Sequence, residues 1–206
     1  MLGGDRRRIE LAYSLMFTLP GTPVLRYGDE IGMGDDLKLQ ERTSCRTPMQ
    51  WSREPHGGFT KNSKPVVPVI DDGPYGYEHV NAAEQRQDPN SLLNWTERII
   101  RMRKEVPEIG WGEFKILDVG DYAVLAVRYD WRNNSVLIIH NLAAEPREIE
   151  FATGLEADDG DILVSLFSGN HSHRSQNGKH RVCLDAYGYR WYRVGGLDYL
   201  LKRREF

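Results

Sequence analysis

The period of the hydrophobic pattern changes near residue 110, and that change limits what the chain can fold into. Before it, two stretches of helical period bracket a long region with almost none. In residues 6–19, Ile9, Ala12, Tyr13, Met16 and Phe17 recur at helical spacing, Asp5 stands where a cap would, and Pro20-Gly21 stops the run. Residues 22–27 read as a short buried strand, because Val24, Leu25 and Tyr27 favour the pleated state. Helix, two-residue break and strand together form the α-to-β step of a parallel α/β unit. Residues 28–89 carry glycines at 28, 32 and 34 and prolines at 48, 55, 65, 68 and 74, a long loop region of the kind that usually carries function. A second helix follows, capped by Asp88 or Ser91, with Leu92, Leu93, Trp95, Ile99, Ile100 and Met102 as its apolar positions and Pro107 at its end. After residue 110 the pattern alternates over strand lengths, at 122–129, 135–142, 148–151, 161–167 and 181–194, with turn residues between. The expected fold class is therefore α/β followed by all-β, the second part an antiparallel sandwich.

Length and charge narrow this further. A complete eight-stranded α/β barrel takes about 250 residues and at least roughly 200, so 206 residues cannot hold one together with a second domain. Lys and Arg number 27 and Asp and Glu 30, a net charge of −3, which lacks the basic surplus of a nucleic-acid-binding surface. No apolar run approaches the roughly 20 residues that span a bilayer. The best one, 11–19, is interrupted by Tyr13, Ser14 and Thr18 and reads as a helix, not a leader. Cys45 and Cys183 have neither metal spacing nor a CxxC arrangement, so reduced thiols and a cytoplasmic setting are expected.

Several residues are of a type to carry chemistry. The acidic, glycine-rich stretch from Tyr27 to Asp36 follows the predicted strand, where barrel and doubly wound enzymes build their sites. Its carboxylates either act as acid, base or ligand-holding groups, or Asp29 and Glu30 hold the loop to backbone donors while Asp35 and Asp36 are solvated. Arg42 and Arg46 flank Thr43-Ser44-Cys45 ahead of Thr47-Pro48-Met49-Gln50-Trp51. An arginine fork beside an aromatic surface suits sugar binding. Equally, an arginine–carboxylate pair would tie this loop to the Asp29/Glu30 loop. Trp51, Trp95 and Trp111 are either sugar platforms or core, and helical spacing assigns Trp95 to the core. His171 and His173 lack a third ligand and read as a solvated turn. Cys45 has no identifiable partner base. The clusters 6–8 and 202–204 are short basic ends.

At these residues the sequence resembles a known family. Residues 19–33 (LPGTPVLRYGDEIGM) resemble the final strand of the α-amylase family's (β/α)8 barrel and the turn after it. Residues 46–51 (RTPMQW) and 57–60 (GGFT) resemble the loop that follows. Val80-Asn81, Gln85, Asp88-Pro89, Ser91-Leu92-Leu93 and residues 101–104 (RMRK) are similar to the link into the last helix. Residues 187–194 (YGYRWYRV) resemble the last sandwich strand of the family's trehalose synthase branch.

The resemblance implies a retaining mechanism with an Asp nucleophile, a Glu acid/base and a second, stabilising Asp. In that branch maltose and trehalose are interconverted by intramolecular transglucosylation, with some hydrolysis. The family's catalytic carboxylates follow earlier barrel strands, the last within an Asn-His-Asp motif, and none of those motifs occurs in this sequence. No catalytic residue is therefore assigned, and Asp29, Glu30, Asp35 and Asp36 are not promoted into those roles. Arg46 matches the arginine that grips the glucosyl unit at the non-reducing end. Tyr27 and Glu30 match positions that shape the pocket floor, and Gly28, Asp29 and Gly32 match the turn. No cofactor and no metal are implied.

The expectation is thus a C-terminal fragment with Met1 an internal methionine of a longer parent. Residues 1–110 form the C-terminal portion of the barrel with its active-site loop, and residues 111–206 form an antiparallel β-sandwich. Maltose, trehalose or another α-glucoside is the ligand in the full-length parent. The protein partner is an N-terminal barrel fragment or a second copy, with no nucleic acid and no membrane. Two other readings stand beside this one: a parent that is an oligo-1,6-glucosidase or another α-glucosidase, and a non-catalytic carbohydrate-binding module. The last ranks lower because no clear aromatic platform is legible in the sequence.

Overall fold

Strict alternation along the chain's second half becomes two antiparallel sheets in the computed structural model, which describes residues 2–155, 162–167, 169 and 171–195. The strands are β1 (Glu113–Leu117), β2 (Val124–Trp131), β3 (Asn134–Asn141), β4 (Arg147–Phe151), β5 (Ile162–Ser165), β6 (Ser172–His173), β7 (His180–Leu184) and β8 (Tyr189–Val194). Six of them form one sheet in the order β1-β2-β3-β8-β5-β6, and β4 pairs with β7 in a second. Every pairing is antiparallel. Arg132 and Asn133 have φ of 47° and 62°, the left-handed pair of a two-residue hairpin that joins β2 to β3. The two sheets bury a shared core. Ile149 and Phe151 of β4 and Val182 and Leu184 of β7 pack with Ala126, Leu137, Ile139, Leu163 and Tyr192 of the larger sheet.

The larger sheet is covered on its other face as well. β3 is buried at six consecutive positions, and alternation puts Leu137 and Ile139 on the shared core, His140 on the opposite side. That side receives α1 (Arg6–Thr18), which is capped by Asp5, whose carboxylate accepts from the Arg7 N–H at 2.9 Å. Ser14 of α1 is fully buried; its Oγ accepts from the Trp191 indole N–H at 2.9 Å and lies 2.9 Å from Nε2 of His140. Tyr129 donates its hydroxyl to the Thr18 carbonyl at 2.6 Å. Farther along, α4 (Glu108–Trp111) contributes Glu108, whose carboxylate pairs with Arg193 at 2.6 Å, both side chains buried.

The chain divides into two compact units. The described residues of Met1–Thr22 and Arg101–Phe206 make one, with the sheets and α1; Pro23–Ile100 make the other. The second unit is mostly loop, packed around Ile31, Met49, Val69, Ile70, Leu92, Trp95 and Ile99. Its helical elements are α2 (Ala82–Gln87) and most of α3 (Leu92–Glu105). Ser91 caps α3 by accepting from the Asn94 N–H at 3.1 Å.

The structure corrects the expectation for residues 22–27. Residues 22–26 enter no ladder and Tyr27 begins a turn, and Val24 is 78% exposed where a buried strand was expected. Extended backbone becomes a strand only beside another, and all the described strands pair antiparallel within the sheets of the second half. The run expected at 181–194 is two strands, broken by a turn at 185–188, while α2, α4, β1 and β6 were not anticipated. The expected basic cluster 202–204 and the start of the strand expected at 161–167 lie outside the described residues.

Candidate active site

Two glycines shape the first turn of the site. Gly28 and Gly32 flank a short 3-10 turn at Asp29–Ile31 with φ of 90° and 73°. At Gly28 the backbone angle favours glycine, and a Cβ would also displace the Met33 side chain, whose Sδ would lie 2.5 Å away. The Gly28 carbonyl accepts from the N–H groups of Ile31 and Met33 and closes the turn. Tyr27 and Glu30 are thereby held on one short, stiff segment.

Arg26 ties that turn to the next loop. Its Nη1 donates to the Cys45 carbonyl at 2.6 Å, and its Nη2 donates to Asp29 Oδ1 at 3.3 Å, with Asp35 at 3.8 Å. The Tyr27 hydroxyl adds a second tie by donating to the Thr47 carbonyl at 2.8 Å. An arginine–carboxylate link between the two loops was one of the open readings for Arg42 and Arg46. Arg26 ties the loops in another way, through the Cys45 carbonyl, while its carboxylate partners Asp29 and Asp35 lie on its own segment. No ion pair involves Arg42 or Arg46 among the described residues.

The loop that carries Arg46 is anchored from below. Thr47, Pro48, Met49 and Gln50 are buried, and the Gln50 amide donates to the carbonyls of Tyr75 and Val80 at 2.9 and 2.8 Å. Gln85 does the same for the first turn: its amide donates to the Ile31 carbonyl at 2.7 Å and its Oε1 accepts from the Leu93 N–H. On the exposed surface of the same unit, Lys38 donates to Asp72 at 2.8 Å, and that hydrogen bond holds the Asp72 carboxyl below its ordinary range.

Tyr27, Glu30 and Arg46 line one cleft of about 720 Å³. Its walls are largely apolar, with Met49, Trp51, Phe59 and Val66 among them, and Trp51 and Phe59 are each about half exposed. Thr60 and Asn62 add neutral polar groups. An apolar wall with a few placed hydrogen-bonding groups, one cationic and one anionic, can stack a ring and orient its hydroxyls. Of the other tryptophans, Trp95 is core and Trp111 is exposed on the other unit. His171 accepts from the Ser165 N–H through Nδ1 and His173 is exposed; no group of three metal-ligating side chains occurs among the described residues. Both cysteines are free thiols. No helix among the described residues is long and apolar enough to cross a membrane. Arg26 went unnoticed in the sequence, although its place three residues before Asp29 was a legible signal.

Residues 1–112, more than half the chain, match the model of the α-amylase catalytic domain. The chain belongs to the α-amylase family. Residues 134–193 match the sucrose hydrolase-like C-terminal domain. The chain is similar to the trehalose synthase of Thermus thermophilus, at 38% identity over 92% of this chain and 20% of that protein. It is also similar to that of Pimelobacter sp., at 36% identity over 96% of this chain and 35% of that one. The chain thus spans between a fifth and about a third of these relatives' length. Among solved structures, the trehalulose synthase MutB of Pseudomonas mesoacidophila shares the fold at a TM-score of 0.71, 22% identity, 94% of this chain and 40% of that one. The trehalose-6-phosphate hydrolase of Bacillus licheniformis does so at 0.72, 21% identity, 95% and 40%. In the α-amylase family frame, the cleft residues fall within the matched catalytic segment and the two-sheet unit includes the C-terminal match.

Proposed function

We propose that this chain is the closing part of an α-amylase-family retaining enzyme that interconverts maltose and trehalose by intramolecular transglucosylation. Residues 1–110 complete a (β/α)8 barrel and residues 111–206 form its C-terminal sandwich. The carboxylates that perform the chemistry come from polypeptide outside these 206 residues. The chain's own part is substrate binding. Arg46 hydrogen-bonds the hydroxyls of the glucosyl unit at the non-reducing end, while Tyr27 and Glu30 shape the floor beneath it. A sugar held there while the bond to its neighbour is cut and remade keeps its orientation between the two transfers. The observation that carries the reading is the convergence of the Tyr27/Glu30 turn and the Arg46 loop on one cleft, with the Arg46 guanidinium in no ion pair among the described residues. The similarity to two trehalose synthases supports the reaction class.

The test is an assay of maltose conversion that follows trehalose and glucose separately. The chain alone is expected to yield neither. Supplied with a polypeptide carrying the rest of a catalytic barrel, it is expected to yield trehalose in excess of glucose, and Arg46→Ala is expected to abolish this. Turnover by the chain alone that depends on Arg46 would overturn the assignment of the carboxylates elsewhere. Glucose without trehalose from the reconstituted enzyme would favour the α-glucosidase alternative.

A further inference from the structure

A second cleft, of about 240 Å³, lies in the two-sheet unit and shares no lining residue with the first. Its aromatic side is Phe167, Tyr187 and Tyr189, and its polar side includes Glu10, Asp185 and Arg190. Phe167 is 40% exposed and holds a fixed orientation, edge-on to Trp191 at 5.1 Å and to Tyr189 at 6.2 Å between ring centres. Glu10 is held by Arg6 at 2.6 Å and accepts from the Tyr189 hydroxyl at 3.4 Å. Arg190 is held by Asp185 at 3.6 Å. The polar groups are thus pre-oriented in pairs of opposite sign.

The turn that carries Tyr187 is unusual. The Gly188 N–H donates to the Asp185 carbonyl at 2.9 Å, closing a four-residue turn with Tyr187 at its third position and a φ of 56°. That position favours glycine, and a bulky residue there is strained. The glycine comes one place later, at Gly188, where a Cβ would sit 2.8 Å from the Asp185 carbonyl. The turn is over-determined from below: the fully buried Asn141 donates its amide to the Asp185 and Glu145 carbonyls, and the Tyr187 N–H donates to Ala143. A strained aromatic residue held on a rigid turn at the wall of a cleft marks a site that uses the ring.

We propose that this cleft binds a neutral saccharide, one ring deep, as a site separate from the catalytic cleft. Phe167 and the face of Tyr187 opposite the Arg8 guanidinium, which lies 5.5 Å from that ring's centre, supply the stacking faces, and Arg190, Asp185 and Glu10 hydrogen-bond the hydroxyls. Among the lining residues Arg7 and Arg190 are matched by Glu10 and Asp185, which leaves the cleft without the cationic surplus that an anionic ligand requires, and its size excludes more than a single ring from the interior. The choice of an α-glucoside among neutral sugars rests on the proposed function. The existence of the site does not.

The test is a titration of the 206-residue chain with maltose, with backbone amide resonances as the readout. Shifts at residues 185–190 that saturate, persist in Arg46→Ala and fall at least tenfold in affinity in Tyr187→Gly are the expected result. Tyr187→Gly suits the left-handed backbone, so its melting temperature is expected not to fall, which separates lost binding from lost folding. Shifts confined to residues 27–66 and abolished by Arg46→Ala would overturn the second site while sustaining the first. No saturable shift at 185–190 with maltose, glucose or trehalose to 50 mM would overturn it outright, as would a Tyr187→Gly variant that binds like the parent chain.

Discussion

Replacing Ser14 by alanine removes one oxygen that two buried groups share. Indole nitrogen only donates, so Ser14 Oγ accepts from Trp191; the same oxygen lies 2.9 Å from Nε2 of His140, whose other neighbour there is Thr18 Oγ1 at 3.5 Å. Neither partner has access to water: Ser14, His140 and Trp191 are all at 0% exposure. In the variant, the Trp191 N–H keeps its desolvation cost without the Ser14 oxygen, at about 1–3 kcal/mol, while His140 Nε2 keeps Thr18 Oγ1 at 3.5 Å. A loss of about 1–3 kcal/mol is a substantial share of the roughly 5–15 kcal/mol that holds a typical domain folded. Equilibrium urea unfolding followed by tryptophan fluorescence should show a lower midpoint with an unchanged slope. A cost for Ser14→Ala below about 1 kcal/mol would refute the assignment of this contact as the clamp between α1 and the sheet.

Two other perturbations test the same structure elsewhere. Burial pushes His140 down to about 3, from an ordinary 6.5. The unfolded chain therefore binds a proton there that the folded chain refuses, and stability falls as pH drops below about 6.5. Between pH 6.5 and 5 the loss should be about 2 kcal/mol, and His140→Gln, which cannot titrate, should lack that component in pH-dependent urea melts. In the other unit, Gly28→Ala forces a side chain into a φ of 90° and against Met33. A cost of about 1–3 kcal/mol in thermal unfolding is expected, and a variant as stable as the parent would show that the turn does not depend on glycine.

What the sequence made legible follows from how local each signal is. β4 and β7 alternate cleanly between buried and exposed, and pattern alone locates the first and the run containing the second. The break between β7 and β8 was missed because Tyr187 occupies the turn position that glycine usually marks, so the punctuation looked like strand. β6, with two residues, is below what any period can register. Residues 22–27 have strand composition but need neighbours that no local signal can supply. At the site, the family motif placed Tyr27, Glu30 and Arg46 together, and they line one cleft. A tie between their loops through Arg42 or Arg46 and a carboxylate was one of two open readings; the structure has Arg26 and a carbonyl instead. The Arg26 contact reaches a backbone carbonyl nineteen residues away, and carbonyls leave no trace in a residue pattern.

The layer that α1 adds to the larger sheet has a consequence for how such a protein can be cut and rejoined. The helix lies more than a hundred residues before the strand it covers, so the break in texture near residue 110 is not a seam in the solid. A sandwich transplanted from residue 111 onward would carry its inner core intact and arrive with the His140 face bare, its buried imidazole and the Trp191 indole facing solvent. Recombination that respects the linear boundary would thus deliver a module missing one wall. A portable unit has to bring the helix with it, or find another that offers a hydroxyl where Ser14 stands.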